Sequence, residues 1–183
     1  MIEAQVTTWR FEGDVVRISE TRPLVVVLRT LSVDSGVIAR LGMAAGFEWP
    51  ATPNTARLGV HWTGPFEWTL VNDAAVRARA ICDAALGDAL HHLADVGPGR
   101  RQWEVIGPGA ADLLARGCGL DLHPRSFGAE ACAQTLFADT PALLARVSDG
   151  AFRILAGTDV AGHLRAWFQA AGLNGLAAST NGE

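Results

Sequence analysis

Five histidines, His61, His91, His92, His123 and His163, are the residues of this chain best suited to acid–base or metal chemistry near neutral pH. Their spacing does not build a site. His91 and His92 are adjacent, so on a helix their side chains diverge by about 100° and cannot chelate one ion. No histidine stands four residues from another, and Cys82, Cys118 and Cys132 form no ligand pair. Only a set gathered from distant parts of the chain could hold a metal. The histidines otherwise read as solvated or core-edge side chains.

Nucleophiles fare no better. No Gly-x-Ser-x-Gly elbow is present. Cys118 follows a predicted helix end, where the dipole disfavours a thiolate, and Cys82 falls on the inner face of a helix as a small core residue. Asp139 and Asp149 lie in hairpin turns, where aspartate ordinarily shapes the turn. Gly107-Pro-Gly-Ala-Ala-Asp112 follows a strand and opens a helix, as a dinucleotide-binding turn does. Asp112, however, stands where the third glycine belongs and sets a carboxylate against a pyrophosphate. Pro108 removes one N–H donor. The segment reads as a tight strand-to-helix turn with proline near the helix start. Trp62, Trp68 and Trp103 lie on or near strands and read as core, although a tryptophan on an open sheet face can anchor an interface.

These residues must be carried by a chain of 183 residues, 49% of them hydrophobic, which suits one domain with a sizeable core. Charged residues are 19%, which fits either a surface partly covered by a partner or a core rich in small residues. Net charge is −4 and the basic residues, all arginine, are scattered apart from Arg100–Arg101, so no stripe follows a phosphate backbone and nucleic acid is not an expected partner. Three cysteines without short spacing fit a reducing compartment. No signal peptide is visible after Met1, and Leu24–Leu28 is far too short to span a bilayer. The expectation is a cytoplasmic protein without membrane contact.

The pattern predicts strands over 5–11 and 15–19 around Gly13, then Leu24–Leu31, Leu58–Thr63 and Glu67–Val71. Asp34–Leu41 is a predicted helix stopped by Gly42. Asn72 caps a longer helix to about Leu90, with Ala74, Ala78, Ile81, Cys82, Ala85 and Ala89 inward. A loop follows over Asp95–Arg101, then a strand over Gln102–Ile106 and a short helix over Gly109–Arg116. Asp121–Ala131 is irregular. Three strands cover Ala133–Phe137, Ala142–Val147 and Phe152–Ala156. Thr158 caps a final helix with the stripe Val160, Leu164, Trp167, Phe168 and Ala171, stopped by Gly172. Residues 1–172 form the predicted domain and 173–183 a flexible tail. Val37-Ile-Ala-Arg40 matches Leu113-Leu-Ala-Arg116 at an offset of 76, and Leu70 and Leu155 close two hairpins at an offset of 85. The order strand, short helix, hairpin, long helix therefore occurs twice, which predicts an α+β fold of duplicated units sharing one core, unless the likeness is chance.

The run Leu120-Asp-Leu-His-Pro-Arg-Ser-Phe127, with Gly117-Cys118 before it and Cys132-Ala-Gln-Thr-Leu136 after it, resembles the gamma subunit of heterotetrameric bacterial sarcosine oxidase. Other stretches agree in order. Thr52-Pro-Asn-Thr55 resembles that family's Pro-rich loop. Gly64-Pro-Phe-Glu-Trp68 resembles its Gly-Pro-Asp-Glu-Trp hairpin, with Phe66 replacing the acid. Gly107-Pro108, followed by Ala111 and Leu114, resembles its strand-to-helix turn. The likeness covers roughly Val15 to Gly172. Val96-Gly-Pro-Gly-Arg-Arg101 departs, where the family often has Ser-His before its arginines.

The resemblance implies a fold like the folate-binding domain of glycine-cleavage aminomethyltransferases. It also implies a non-catalytic place in an assembly that converts sarcosine, tetrahydrofolate and oxygen to glycine, methylenetetrahydrofolate and hydrogen peroxide. The alpha, beta and delta subunits are the implied partners, and FAD, FMN, NAD and tetrahydrofolate are expected there, with no catalytic, cofactor or metal residue in this chain. Folate-dependent relatives carry an acidic pair at the entry of a late strand. Aligned on Arg146, those positions are Thr140 and Pro141 here, and Asp139 lies one residue out, which in a strand reverses the face. His123 and Arg125 are the expected partner interface, because an arginine there can pair bidentately with a carboxylate. The competing reading ties Arg125 to its own loop. Two other functions stay open: a free-standing tetrahydrofolate-dependent aminomethyltransferase or demethylase built around Asp139, and a binding module for an unrelated partner.

Overall fold

The computed structural model describes residues 7–31 and 34–178. The chain divides into two compact units, one of Pro23–Pro98 and one formed by the segments ending at Arg22 and beginning at Gly99. The described residues carry two hydrophobic clusters, one per unit.

Strands β1 (Thr7–Glu12) and β2 (Arg17–Thr21) open the discontinuous unit as an antiparallel pair. The Gly13 N–H donates to the Val16 carbonyl at 2.9 Å and closes the expected turn. The continuous unit follows: β3 (Val25–Thr30), α1 (Ser35–Ala45), β4 (Ala56–Arg57), β5 (Val60–Gly64), β6 (Glu67–Val71), α2 (Asp73–Leu86) and β7 (His91–Asp95). Its sheet runs β4-β5-β6-β3-β7. Ala74, Ala78, Ile81, Cys82 and Ala85 of α2 are buried as their spacing demands, whereas Ala89 lies beyond the helix end. Trp68 stacks edge-on against Trp49 at 5.9 Å, and its indole N–H donates to the Pro50 carbonyl at 2.7 Å, which pins the Pro-rich loop to the sheet.

The chain then returns to the first unit with β8 (Arg100–Ile106), α3 (Ala110–Ala115), β9 (Cys132–Phe137), β10 (Thr140–Ser148), β11 (Ala151–Gly157) and α4 (Ala161–Ala178). This sheet runs β1-β2-β8-β11-β10-β9. Helix α4 buries Leu164 and Phe168, and Trp167 meets Phe137 edge-on at 4.8 Å. Each fully buried side chain of this kind contributes roughly 1.5–3 kcal/mol. The two sheets have matching strand orders when β4, β5, β6, β3 and β7 are laid on β9, β10, β11, β8 and β2. Val26 faces Leu70 in one, and Gln102 faces Leu155 in the other, so the offsets of 76 and 85 carry one pair onto the other.

Several expectations are corrected. Helix α2 ends at Leu86 rather than about Leu90, and His91–Asp95, for which the pattern predicts no strand, is a strand paired with β3. Asn72 stands at the N-cap of α2 as expected, but its side chain makes no capping hydrogen bond; with φ 56° it spans the strand-to-helix corner, and its side-chain oxygen accepts from the Leu24 N–H at 3.3 Å. Helix α1 passes through Gly42 and stops at Gly46, which takes the left-handed conformation. Helix α4 passes through Gly172 to Ala178, so the tail expected from residue 173 begins as helix. The expected strand positions 5–6 and the last residues 179–183 lie outside the described residues. No helix among the described residues is long and apolar enough to cross a membrane.

Asp34 caps α1 by accepting from the Val37 N–H at 2.7 Å. Asp34→Ala should lower the stability of the continuous unit by about 1 kcal/mol. A shift in urea midpoint, followed on the tryptophans of that unit, checks this.

Candidate functional site

Between α3 and β9 the chain runs from Arg116 to Ala131 without regular structure. Loops this long inside a compact unit are uncommon and are usually functional. Leu122 and Phe127 bury their side chains in the core, while His123, Pro124, Arg125 and Ser126 between them are exposed. Asp121 organises the segment: one carboxylate oxygen accepts from the His123 N–H at 3.0 Å, the other from the Ser126 hydroxyl at 2.6 Å. Those two hydrogen bonds, the Ser126 one foremost, hold its carboxyl below the ordinary range, so it is ionised at neutral pH. The His123 carbonyl accepts from the N–H groups of Ser126 and Phe127 at 2.9 and 2.8 Å. The Arg125 N–H donates to Nδ1 of His123 at 3.2 Å. That bond places the ring proton of neutral His123 on Nε2.

The loop is tied down by Arg146 on β10. Its Nη2 donates to the Leu122 carbonyl at 2.8 Å, its Nη1 reaches Asp149 at 3.1 Å, and its guanidinium lies 4.7 Å from the centre of the Phe152 ring. The side chain of Arg146 is 4% exposed and that of Asp149 is 95% exposed, so the carbonyl and the ring hold this charge more than the aspartate does. Arg146 thus ties the loop to β10 and to the Phe152 ring. Gly117 begins the segment because a Cβ there would sit 2.7 Å from the Phe137 ring and 2.8 Å from that of Trp167.

A second polar cluster lies under α4. Glu20 is fully buried on β2. Arg165 of α4 grips it with Nε at 2.6 Å and Nη2 at 2.7 Å, Thr8 of β1 donates at 2.8 Å, and Arg101 of β8 stands 3.6 Å away. Burial pushes the Glu20 carboxyl upward, but the bonds from Arg165 and Thr8 and the charges of Arg165 and Arg101 outweigh it, and the group titrates below the ordinary range. All three partners belong to the fold, so the cluster joins β1, β2, β8 and α4. Sequence spacing did not single out Glu20 or Arg146. A signal existed: both break an apolar alternation, after Val16 and Ile18 in one case and after Leu144 in the other.

The other candidates are absorbed by structure. Nδ1 of His61 meets the Thr69 carbonyl at 3.1 Å, Nδ1 of His91 the Ala89 carbonyl at 2.8 Å, and Nε2 of His163 the Ala138 carbonyl at 2.8 Å. Burial pushes the Cys82 thiol up to about 11. At the Gly107-Pro108 turn, the N–H groups of Gly107 and Gly109 donate to the carbonyls of Gly150 and Val15, which removes them from any phosphate. Ala138 and Asp139, at φ 47° and 62°, form the two-residue turn between β9 and β10, and the Asp139 side chain is exposed there. No group of three or more His, Cys, Asp or Glu among the described residues could hold a metal ion.

Residues 29–174 match the family model described as the sarcosine oxidase, gamma subunit family. The chain is 32% identical over 136 residues to the gamma subunit of sarcosine oxidase from Corynebacterium sp. strain P-1, covering 74% of this chain and 64% of that one. It is 30% identical over 132 residues to the gamma subunit from Corynebacterium sp. strain U-96, covering 72% and 61%. It thus spans less than two thirds of the length of these curated relatives. Among solved structures it resembles heterotetrameric sarcosine oxidase from Corynebacterium sp. U-96 in complex with pyrrole 2-carboxylate, with TM-score 0.76 and 28% identity over 95% of this chain and 90% of that chain. The glycine cleavage aminomethyltransferase T of Bartonella henselae shares the fold, with TM-score 0.55 and 16% identity over 80% of this chain and 43% of that one. A match across most of the chain, through the loop that Asp121 and Arg146 organise, carries one conclusion: this chain belongs to the sarcosine oxidase gamma subunit family.

Proposed function

We propose that the chain is a non-catalytic structural subunit of a heterotetrameric sarcosine oxidase, a cytoplasmic assembly that oxidises sarcosine, or a related N-methyl amine, with tetrahydrofolate as methyl-carbon acceptor. The observation that carries this reading is the structural likeness to a chain of such a heterotetramer over nearly the whole length. The alpha, beta and delta subunits are its partners, and they hold FAD, FMN, NAD and tetrahydrofolate. His123 and Arg125 form part of the contact with them. The matching strand orders and the preserved Val26–Leu70 and Gln102–Leu155 pairings support a duplicated α+β unit as the origin of the scaffold.

Co-expression with the neighbouring larger subunits, followed by native mass spectrometry, tests the reading. The expected result is one stable complex carrying the flavins and this chain. Recovery of the chain alone as a well-behaved monomer, with the larger subunits assembled without it, overturns the proposal. Calorimetry of the isolated chain with tetrahydrofolate should show no heat. Measurable binding there would favour a folate enzyme instead, a reading weakened by the turn-forming role of Asp139.

A further inference from the structure

The loop between α3 and β9 is held more firmly than a connector requires. A surface loop that only joins two elements does not need to be rigid, and rigidity costs chain entropy of roughly 1–2 kcal/mol per fixed residue. Here Leu122 and Phe127 are buried at either side of a four-residue tip. Both carboxylate oxygens of Asp121 are committed inside the loop, and the buried Arg146 holds the Leu122 carbonyl from below. Rigid presentation makes sense when something docks on the tip, because a pre-formed loop does not lose that entropy again on binding.

The chemistry of the tip narrows what docks. Asp121 is exposed, but its oxygens already accept two hydrogen bonds. His123 accepts the Arg125 N–H at Nδ1, which leaves Nε2–H as the donor it offers. The guanidinium of Arg125 is a fork of donors with no acceptor capacity. At the tip itself, His123 and Arg125 thus present side-chain donors, in a chain whose net charge is −4.

We infer that Asp121–Phe127 is a pre-organised receptor for a carboxylate side chain of a partner subunit, with Arg125 as the bidentate donor and His123 Nε2–H beside it. The inference rests on the proposed place in a heterotetramer and names the chemistry of that contact. The occupant is an Asp or Glu of a larger subunit, because the Arg125 fork calls for a carboxylate and the solved structure that this chain resembles is a heterotetramer.

The test uses the complex reconstituted from this chain and its co-expressed larger subunits. Affinity is measured by fluorescence titration at several salt concentrations. Arg125→Gln should weaken assembly about 10-fold and flatten its salt dependence, and Arg125→Glu should weaken it by about 100-fold or more. Arg125→Lys, which keeps the charge but loses the fork, should fall between wild type and Arg125→Gln. Asp121→Ala is the decisive variant. It removes a negative charge beside the tip, so electrostatics alone would tighten an acidic partner. Loss of pre-organisation predicts weaker binding instead, with slower association and the same melting curve for the rest of the unit. A complex that forms normally and is insensitive to Arg125→Glu and Asp121→Ala alike overturns the inference and leaves the subunit reading intact. A wild-type chain that never joins the larger subunits removes both.

Discussion

Replacing Arg165 with alanine should destabilise the discontinuous unit by about 3 kcal/mol, because it strands a fully buried carboxylate. The value lies at the low end of such losses for two reasons. Arg165 is 37% exposed, so its own desolvation is partial, and Thr8 and Arg101 remain beside Glu20. Glu20→Gln should cost less, because a neutral amide can still accept from Arg165. The two variants separate most clearly with pH. The folded-state pKa of Glu20 lies below its ordinary value of 4.5, so the unfolded chain binds the proton more readily. The contribution is therefore complete above the ordinary glutamate range and is lost as pH falls through the lowered folded value. Denaturant titrations from pH 7 down to about 3 should show a steeper loss for wild type than for Glu20→Gln. Equal slopes would mean that Glu20 does not titrate as its contacts require. Hydrogen exchange on β2 and α4 reports the unit concerned, which a global melt of two units would blur.

The second large effect is expected at Arg146. Arg146→Ala should cost about 3–4 kcal/mol: it opens a cavity against Phe152 and leaves the Leu122 carbonyl without its donor. Loss of the Asp149 contact adds little, since that carboxylate is 95% exposed and regains water. Arg146→Met should recover most of the stability, because it fills the space and removes a buried charge whose Nε has no partner. It should still free the loop. Fast amide exchange at Ser126 and Phe127 in a Met variant of near-normal stability would separate the two roles of this arginine. Unchanged protection at those amides would show that Asp121 alone holds the tip.

What could be read from sequence follows the range of the interactions. Period-two alternation and Gly-Pro or Asp-Gly turns placed β5, β6, β10 and β11 within a few residues, since a hairpin is a local object. Strand β7 was missed because His91–Asp95 has no clean alternation and its pairing partner, β3, lies more than sixty residues earlier. Gly42 and Gly172 were read as helix stops because glycine usually ends helices through its left-handed freedom. Here each serves by its lack of a side chain. A Cβ on Gly42 would sit 3.1 Å from the Phe47 carbonyl, and one on Gly172 would collide with the Phe11 ring. Of the candidate surface, His123 and Arg125 are named through the resemblance around them. The groups that hold them, Asp121 aside, are not. Arg146 is 24 residues from the carbonyl it binds, and Glu20 is 145 residues from Arg165, and no local pattern encodes either pairing.

The interrupted unit also bears on how the chain is made. The stretch Pro23–Pro98 is continuous, so its sheet can close as soon as those residues leave the ribosome. Strand β2 is synthesised before them, yet its inner neighbour β8 begins only at Arg100. For that interval one edge of the β1–β2 hairpin is open, and Glu20 faces water as an ordinary solvated carboxylate. It becomes a buried ion only when Arg165 emerges, 145 residues later. Helix α4 is thus what commits β1 and β2, and a nascent chain cut short before α4 would hold a finished continuous unit and an unsealed discontinuous one.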